Sequence, residues 1–147
     1  MTDYLLDWDQ WGTPTISADN WPAVYEGLGF AHAYSHPNLL LSAMVRAQGR
    51  AAEFLGQHSG AGPNTLTKQP AGVDYLQSDR LVWQLDIAAL GVQYWQQQDA
   101  QMAANISAYS AGINACRAAH PALFDARFTP LAEVTPAMVM AHVAHIL

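Results

Sequence analysis

Few residues in this chain have the chemistry to bind or react, and several of them come in pairs. His32 and His36 stand four apart, and His142 and His145 three apart. On a helix either spacing turns two imidazoles toward one face, which is how a zinc site can begin. Neither pair has the glutamate that accompanies helical histidines in zinc proteases, and Pro37 interrupts the geometry directly after His36. Packing or surface histidine is the default for both pairs, and no metal ligand is assigned. His36 can instead hydrogen-bond Ser35 or a nearby carbonyl within a turn. The single cysteine, Cys116, lies on an apolar stripe with only Arg117 and His120 as basic neighbours, so a buried, inert thiol is expected. Arg50 with Glu53, and Asp79 with Arg80, are candidate structural ion pairs. Arg46 and Arg50 make a basic edge, better suited to salt bridging than to holding an acidic substrate. The chain contains no Gly-x-Ser-x-Gly, phosphate loop or dinucleotide fingerprint. No catalytic residue and no cofactor is therefore assigned, and the substrate-binding residues stay unknown.

The elements that position these residues are legible from periodicity. Tyr4, Leu6 and Trp8 alternate with Leu5, Asp7 and Asp9, a strand with one wetter face. Gln10 to Pro14 turns the chain into a second short strand, Thr15 to Ala18. Asn20 is a helix N-cap with Pro22 in the first turn, and the helix runs to about Tyr34. Gly27, Gly29, Ala31 and Ala33 make that helix thin-sided and open to close approach by a neighbour, at ~1 kcal/mol per Gly relative to Ala. After a turn at Ser35 to Asn38, a second helix carries Leu40, Met44, Ala47, Ala51 and Phe54 on one stripe and stops at Gly56. Arg46, Arg50 and Glu53 share another of its faces. Gln57 to Gly72 reads as a polar loop. Leu81, Leu85, Ala88, Val92 and Trp95 form a further stripe, starting near Asp74 with a break near Gly91. Met102, Ile106, Tyr109, Ile113 and Cys116 form another, from Asp99 to before Pro121, and the two stripes predict an antiparallel pair. Pro121 to Glu133 is irregular, and Thr135-Pro136 opens a last helix still apolar at Leu147.

Composition sets the broader bounds. A length of 147 residues predicts one domain. Charged residues make up 12%, about half the ~25% of an average soluble domain, against 51% apolar, with five Trp and six Tyr. So little charge on so short a chain predicts that part of its surface is covered by another polypeptide. A net charge of −6 with six Lys plus Arg argues against nucleic acid or an anionic membrane as partner. One cysteine excludes an internal disulfide and a cysteine-based zinc site. The acidic start lacks the pattern of a signal peptide, and no run approaches the ~18 apolar residues that span a bilayer.

Four segments carry a family resemblance. They are Asp9-Gln-Trp-Gly12-Thr-Pro14-Thr-Ile16, Gly29-Phe-Ala31-His-Ala33, Gly49-Arg50-Ala-Ala-Glu53-Phe-Leu-Gly56 and Tyr109-Ser-Ala-Gly112-Ile-Asn114. In this order the chain resembles the α, or N-terminal, part of the penicillin acylase family of N-terminal-nucleophile hydrolases. Ser35-His36 stands where many members carry Asp-Arg and looks more like the cephalosporin (glutaryl) acylase branch, with the acyl-homoserine-lactone acylases close behind. Thr13 and Thr15 depart from the family's usual Val and His. The resemblance implies an α+β fold: a mainly helical layer with one or two N-terminal strands, the α-chain part of an αββα hydrolase, with residues 1–147 an incomplete domain. It implies a β chain whose first residue is a Ser nucleophile, freed when a precursor cuts itself, with the α-amino group as base and an oxyanion hole. It implies an N-acylated small molecule as substrate, a β-lactam side chain or an N-acyl-homoserine lactone, and a periplasmic location. The β chain and its nucleophile have no counterpart in this chain, so it is expected to be inactive alone and prone to aggregate. The alternative is a free-standing helical binding or scaffold protein, including a decayed acylase relative.

Overall fold

The computed structural model describes residues 3–57 and 74–146. The chain opens with an antiparallel hairpin, β1 (Tyr4–Trp8) and β2 (Pro14–Ala18), in the register Tyr4 to Ala18 and Trp8 to Pro14. Its turn is tied by the Asp9 carboxylate, which accepts from the backbone N–H of Trp11 (2.9 Å) and Thr13 (2.8 Å). Gly12 takes the left-handed conformation the turn requires. Those N–H donors, Thr13 foremost, hold the Asp9 carboxyl below the usual carboxylate range.

Seven helices follow among the described residues: α1 (Trp21–Ser35), α2 (Pro37–Ala47), α3 (Ala51–Leu55), α4 (Tyr75–Gln84), α5 (Ile87–Gln96), α6 (Ala100–Ala119) and α7 (Pro136–Ile146). Asn20 caps α1 by accepting from Ala23 N–H at 3.0 Å, and Asp99 caps α6 by accepting from Met102 N–H at 2.8 Å. Both strands, α1, α6 and α7 lie where the sequence places them. No described helix is long and apolar enough to cross a membrane.

The thin side of α1 meets α6. A Cβ on Gly29 would lie 2.1 Å from the Tyr109 carbonyl oxygen, and one on Gly112 would lie 2.0 Å from that of Glu26. Backbone packs on backbone here, with one glycine from each helix facing the other's main chain. The hairpin seats on α1 beside the crossing, through Ile16 and Tyr4 against Gly27. The main core, with Leu41, Met44, Phe54, Tyr75, Ile113 and Phe128 among its members, fills the space between α2, α3, α4, α6 and the segment before α7. Two 3₁₀ turns, Pro121–Leu123 and Ala126–Phe128, occupy the stretch expected to be irregular.

Three expectations are corrected. The helix expected from Pro37 to Gly56 is two helices. Gly49 adopts φ +65°, its N–H donates to Arg46 and that of Arg50 to Val45, a helix-ending pattern that turns the chain before α3. The stripe survives the break, because Leu40, Met44, Ala47, Ala51 and Phe54 are all buried. The stripe expected after Asp74 does not. Asp86 sits in the left-handed region at φ 52° and divides α4 from α5, five residues before the expected break at Gly91. A period counted across that corner runs out of phase, so Leu81, Leu85 and Val92 are exposed while Val82, Ile87 and Gly91 are buried. The antiparallel pairing also differs. α6 packs on α1 and α5 packs on α7, where a Cβ on Gly91 would lie 2.6 Å from the Ala137 carbonyl oxygen. The loop expected from Gln57 to Gly72 lies, apart from Gln57, outside the described residues.

Candidate functional site

α1, α2, α6 and α7 enclose a cavity of about 370 Å³ walled by apolar side chains such as Leu28, Leu40, Met44, Ile106 and Val139. Its polar lining comes from three helices: Tyr25 and His32 on α1, Tyr109 on α6 and His142 on α7. The volume falls in the range of small-molecule sites, and apolar walls with a few converging polar groups are the usual make-up of one.

His32 Nδ1 and the Tyr109 hydroxyl share a hydrogen bond of 2.7 Å. The close α1–α6 crossing makes this bond possible, because the tyrosine's own carbonyl is what Gly29 abuts. Burial pushes the Tyr109 phenol up to about 12, and burial, followed by the charge of His36, pushes His32 below the ordinary histidine value. At neutral pH the pair is an uncharged imidazole and phenol, able to position a polar group. Burial also lowers His142 and His145, with Arg46 contributing to both. His142 Nδ1 and Arg46 Nε are buried without a hydrogen-bond partner. Both atoms are exceptions to the near-universal pairing of buried polar groups.

The histidines singled out from sequence are thus drawn partly together, but not as a metal centre. His32 and His36 meet edge to face with ring centroids 6.2 Å apart. No group of three or more His, Cys, Asp or Glu among the described residues is placed to hold a metal ion.

Arg50 and Glu53 form the expected pair, two bonds of 2.7 Å each, with the guanidinium also 4.8 Å from the Phe54 ring centroid. The expected basic edge is not formed. The break at Gly49 separates Arg46 from Arg50, and Arg46 faces the histidines of α7. The expected Asp79–Arg80 pair is also replaced. Arg80 is exposed, whereas buried Asp79 accepts from the backbone N–H of Ala51 (2.9 Å) and Ala52 (2.8 Å), capping α3 from a distant helix. Sequence reasoning missed this role. The clue was that Arg50, in the cap position of α3, makes no side-chain cap bond.

Among the described residues, neither the cysteine nor the buried serines supply an activated nucleophile. Cys116 is fully buried on α6 and its thiol is pushed up to about 11 by burial, as an inert thiol should be. The buried hydroxyls of Ser42 and Ser110 donate to the carbonyls of Leu39 and Ile106.

The segments that carried the resemblance prove to be architectural. Asp9 and Gly12 make the hairpin turn. Gly29 and Gly112 make the α1–α6 crossing. Gly49 and the Arg50–Glu53 pair shape α3. Asn114 exchanges two 2.9 Å hydrogen bonds with the backbone of Val134, fixing the approach to α7.

Comparison with known proteins agrees. A thermostable penicillin G acylase from Alcaligenes faecalis, solved in a tetragonal crystal form, superposes with a TM-score of 0.70 at 20% sequence identity, over 97% of this chain and 71% of that one. At that identity the likeness establishes the fold, the α+β arrangement of helices with two antiparallel N-terminal strands. The family model described as penicillin amidase matches residues 5–146, all but the ends, and the chain therefore belongs to the penicillin amidase family.

Proposed function

We propose that this chain is the α subunit, or the N-terminal part, of an acylase that hydrolyses the linear amide of an N-acylated small molecule. The nucleophile is the N-terminal Ser of a β chain, attacking the amide carbonyl with its own α-amino group as base. Substrates of this class include β-lactam side chains and N-acyl-homoserine lactones, and the cephalosporin or homoserine-lactone branch suggested by Ser35-His36 belongs to the same proposal. The observation that carries the reading is the family match over residues 5–146, in a chain whose buried serine hydroxyls donate to backbone carbonyls and whose one thiol is buried. The outer face of α4 and α5 supports it further. Leu81, Trp83, Leu85 and Val92 are 55%, 58%, 66% and 43% exposed, more apolar surface than a free-standing face of this size usually shows.

The test is hydrolysis of N-phenylacetyl and N-octanoyl p-nitroanilides by the 147-residue chain alone and by the chain co-produced with the polypeptide encoded downstream. The proposal expects no nitroaniline from the chain alone, and release from a complex whose second chain begins with Ser by N-terminal sequencing. Cleavage by the chain alone would defeat it. So would a stable, well-folded monomer that forms no complex, the result expected of a scaffold.

A further inference from the structure

α7 meets its neighbours across a set of bases with no acid among them. The helix itself carries His142 and His145 and no carboxylate. His32 and Tyr25 on α1 and Tyr109 on α6 line one cavity with His142, and the charge of Arg46 on α2 acts on both α7 histidines. His36 meets His32 edge to face at 6.2 Å. α5, which also packs on α7, has no charged residue and only Tyr94 as a titratable one. The charges acting on His32, His142 and His145 are those of His32, His36, His145 and Arg46, all of them bases. Every Asp and Glu of the chain lies among the described residues, and Glu26 and Glu53, on the neighbouring helices, act on Tyr4 and pair with Arg50. Such an interface tolerates neutral imidazole and resists the charged form. His142 Nδ1 is buried without a partner, so a proton arriving there finds no acceptor. Protonated His32 can only donate, which forces the Tyr109 hydroxyl hydrogen to turn away from their 2.7 Å bond.

α7 is also the least anchored element around these groups. Ala141 is its one buried residue. It joins a satellite cluster with Ala47, Val82 and Ile87, and reaches the main core only through partly buried Met138 and Val139. α1, by contrast, is held to α6 by the glycine crossing, and α2 sinks Leu40, Leu41, Met44 and Val45 into the main core. Upstream, Asn114 clamps the Val134 backbone and fixes a pivot just before the helix. An 11-residue helix that loses its packing is marginal in water, so opening here costs less than opening elsewhere.

We propose that α7 is an acid-released arm: once His32, His142 and His145 are protonated it leaves α1 and α2, pivoting at the Asn114 clamp, while the α1–α6 crossing stays shut. Release uncovers Leu40, Met44 and Ile106, which line the cavity. Burial first, then neighbouring positive charge, holds all three histidines below the ordinary value. The open arm therefore takes up protons that the closed one refuses, and opening becomes easier as pH falls below about 6.5. Each histidine returned fully to its ordinary value raises the opening constant about tenfold between pH 7.5 and 5.5. Beyond a general loss of stability, one element leaves first. The inference does not rest on the acylase reading.

Hydrogen exchange of the full chain at pH 7.5 and 5.5, read by mass spectrometry and corrected for the intrinsic pH dependence of exchange, tests this. Protection in peptides covering α7 should fall about tenfold or more relative to those covering α6. Unchanged protection in α7, or an equal fall in α7 and α6, overturns the proposal. His142→Gln combined with His145→Gln should remove most of the fall, whereas His120→Gln, at an exposed position ending α6, should keep it. A full pH response in the double variant also overturns the proposal. Should that variant fail to fold, NMR titration of the imidazole protons in the unaltered chain decides. His142 must protonate at the pH where α7 loses protection, and a separate midpoint counts against the arm.

Discussion

Replacing Gly112 by Ala tests the structural claim on which the position of every candidate site residue depends. The added Cβ would lie 2.0 Å from the Glu26 carbonyl oxygen and 2.9 Å from Phe30 N, both backbone atoms of α1 that cannot rotate away. Ordinary contact begins near 3.4 Å, so the helices must separate by more than an ångström. Overpacking of this kind costs about 1–3 kcal/mol where side chains can yield, and more where only backbone can. Against it stands a gain of ~1 kcal/mol from replacing a helical Gly by Ala. The clash wins, and the expected net loss is about 2–4 kcal/mol. For a domain of this size that lowers Tm by roughly 5–15 °C. Gly29→Ala should cost a similar amount, since its Cβ would lie 2.1 Å from the Tyr109 carbonyl. Because one separation relieves both clashes, the double variant should lose much less than the sum, a coupling readable from a double-mutant cycle in urea. Gly27→Ala is the control. Its nearest neighbours are the side chains of Ile16 and Tyr4 at 2.8 and 2.9 Å, which can shift, so its cost should be the smallest of the three. A Gly112→Ala chain as stable as the parent would refute the backbone-on-backbone crossing.

The remaining predictions concern single groups. Asp79→Ala should cost about 2–4 kcal/mol, by removing the cap of α3 and leaving two shielded N–H groups unpaired, with hydrogen exchange speeding first at Ala51 and Ala52. His32, His142 and His145 all have folded-state values below the unfolded one, so the unfolded chain binds more protons and stability must fall as pH drops through about 6.5; urea midpoints that stay flat between pH 7.5 and 5.5 would contradict this. Cys116 should resist a thiol reagent at pH 8 in the folded chain and react at once in denaturant, since burial and a thiol value of about 11 both suppress the thiolate. Tyr109→Phe should cost about 0.5–1.5 kcal/mol through the lost bond to His32, visible as a lower urea midpoint.

What could be read from the sequence was whatever depends on short-range chemistry. Asn20 and Asp99 mark helix starts because a side-chain oxygen beside a helix has one obvious donor to meet. The small residues of α1 foretold a close neighbour, but not which one. That depends on Gly112 lying 83 positions later, in a helix whose other stripe residues had to be buried for the match to form. The cap of α3 was illegible for the same reason, because Asp79 satisfies N–H groups 27 and 28 positions away. The cavity was the least legible feature. Spacing pairs His32 with His36 and His142 with His145 and sets Tyr109 on a helical stripe, and only the way four helices cross makes His32, Tyr109 and His142 line one cavity.

The stripe misread across Asp86 carries the more general lesson. Apolar residues at helical spacing usually mark core, so the spacing of Leu81, Leu85 and Val92 predicts a buried stripe. The inference joined two helices into one, yet the side chains are as apolar as the pattern said; only their surroundings differ. Val82, Ile87 and Gly91 bury one face of the α4–α5 pair, while the opposite face presents leucine, tryptophan and valine to the outside. A pair of helices apolar on both faces is built to lie between two layers. In this chain only one of those layers, α2 with α7 and the core beneath them, lies among the described residues. On the proposed two-chain reading the low charge and the two-sided helices have a common physical cause, since a second covering layer would remove the need for a polar exterior.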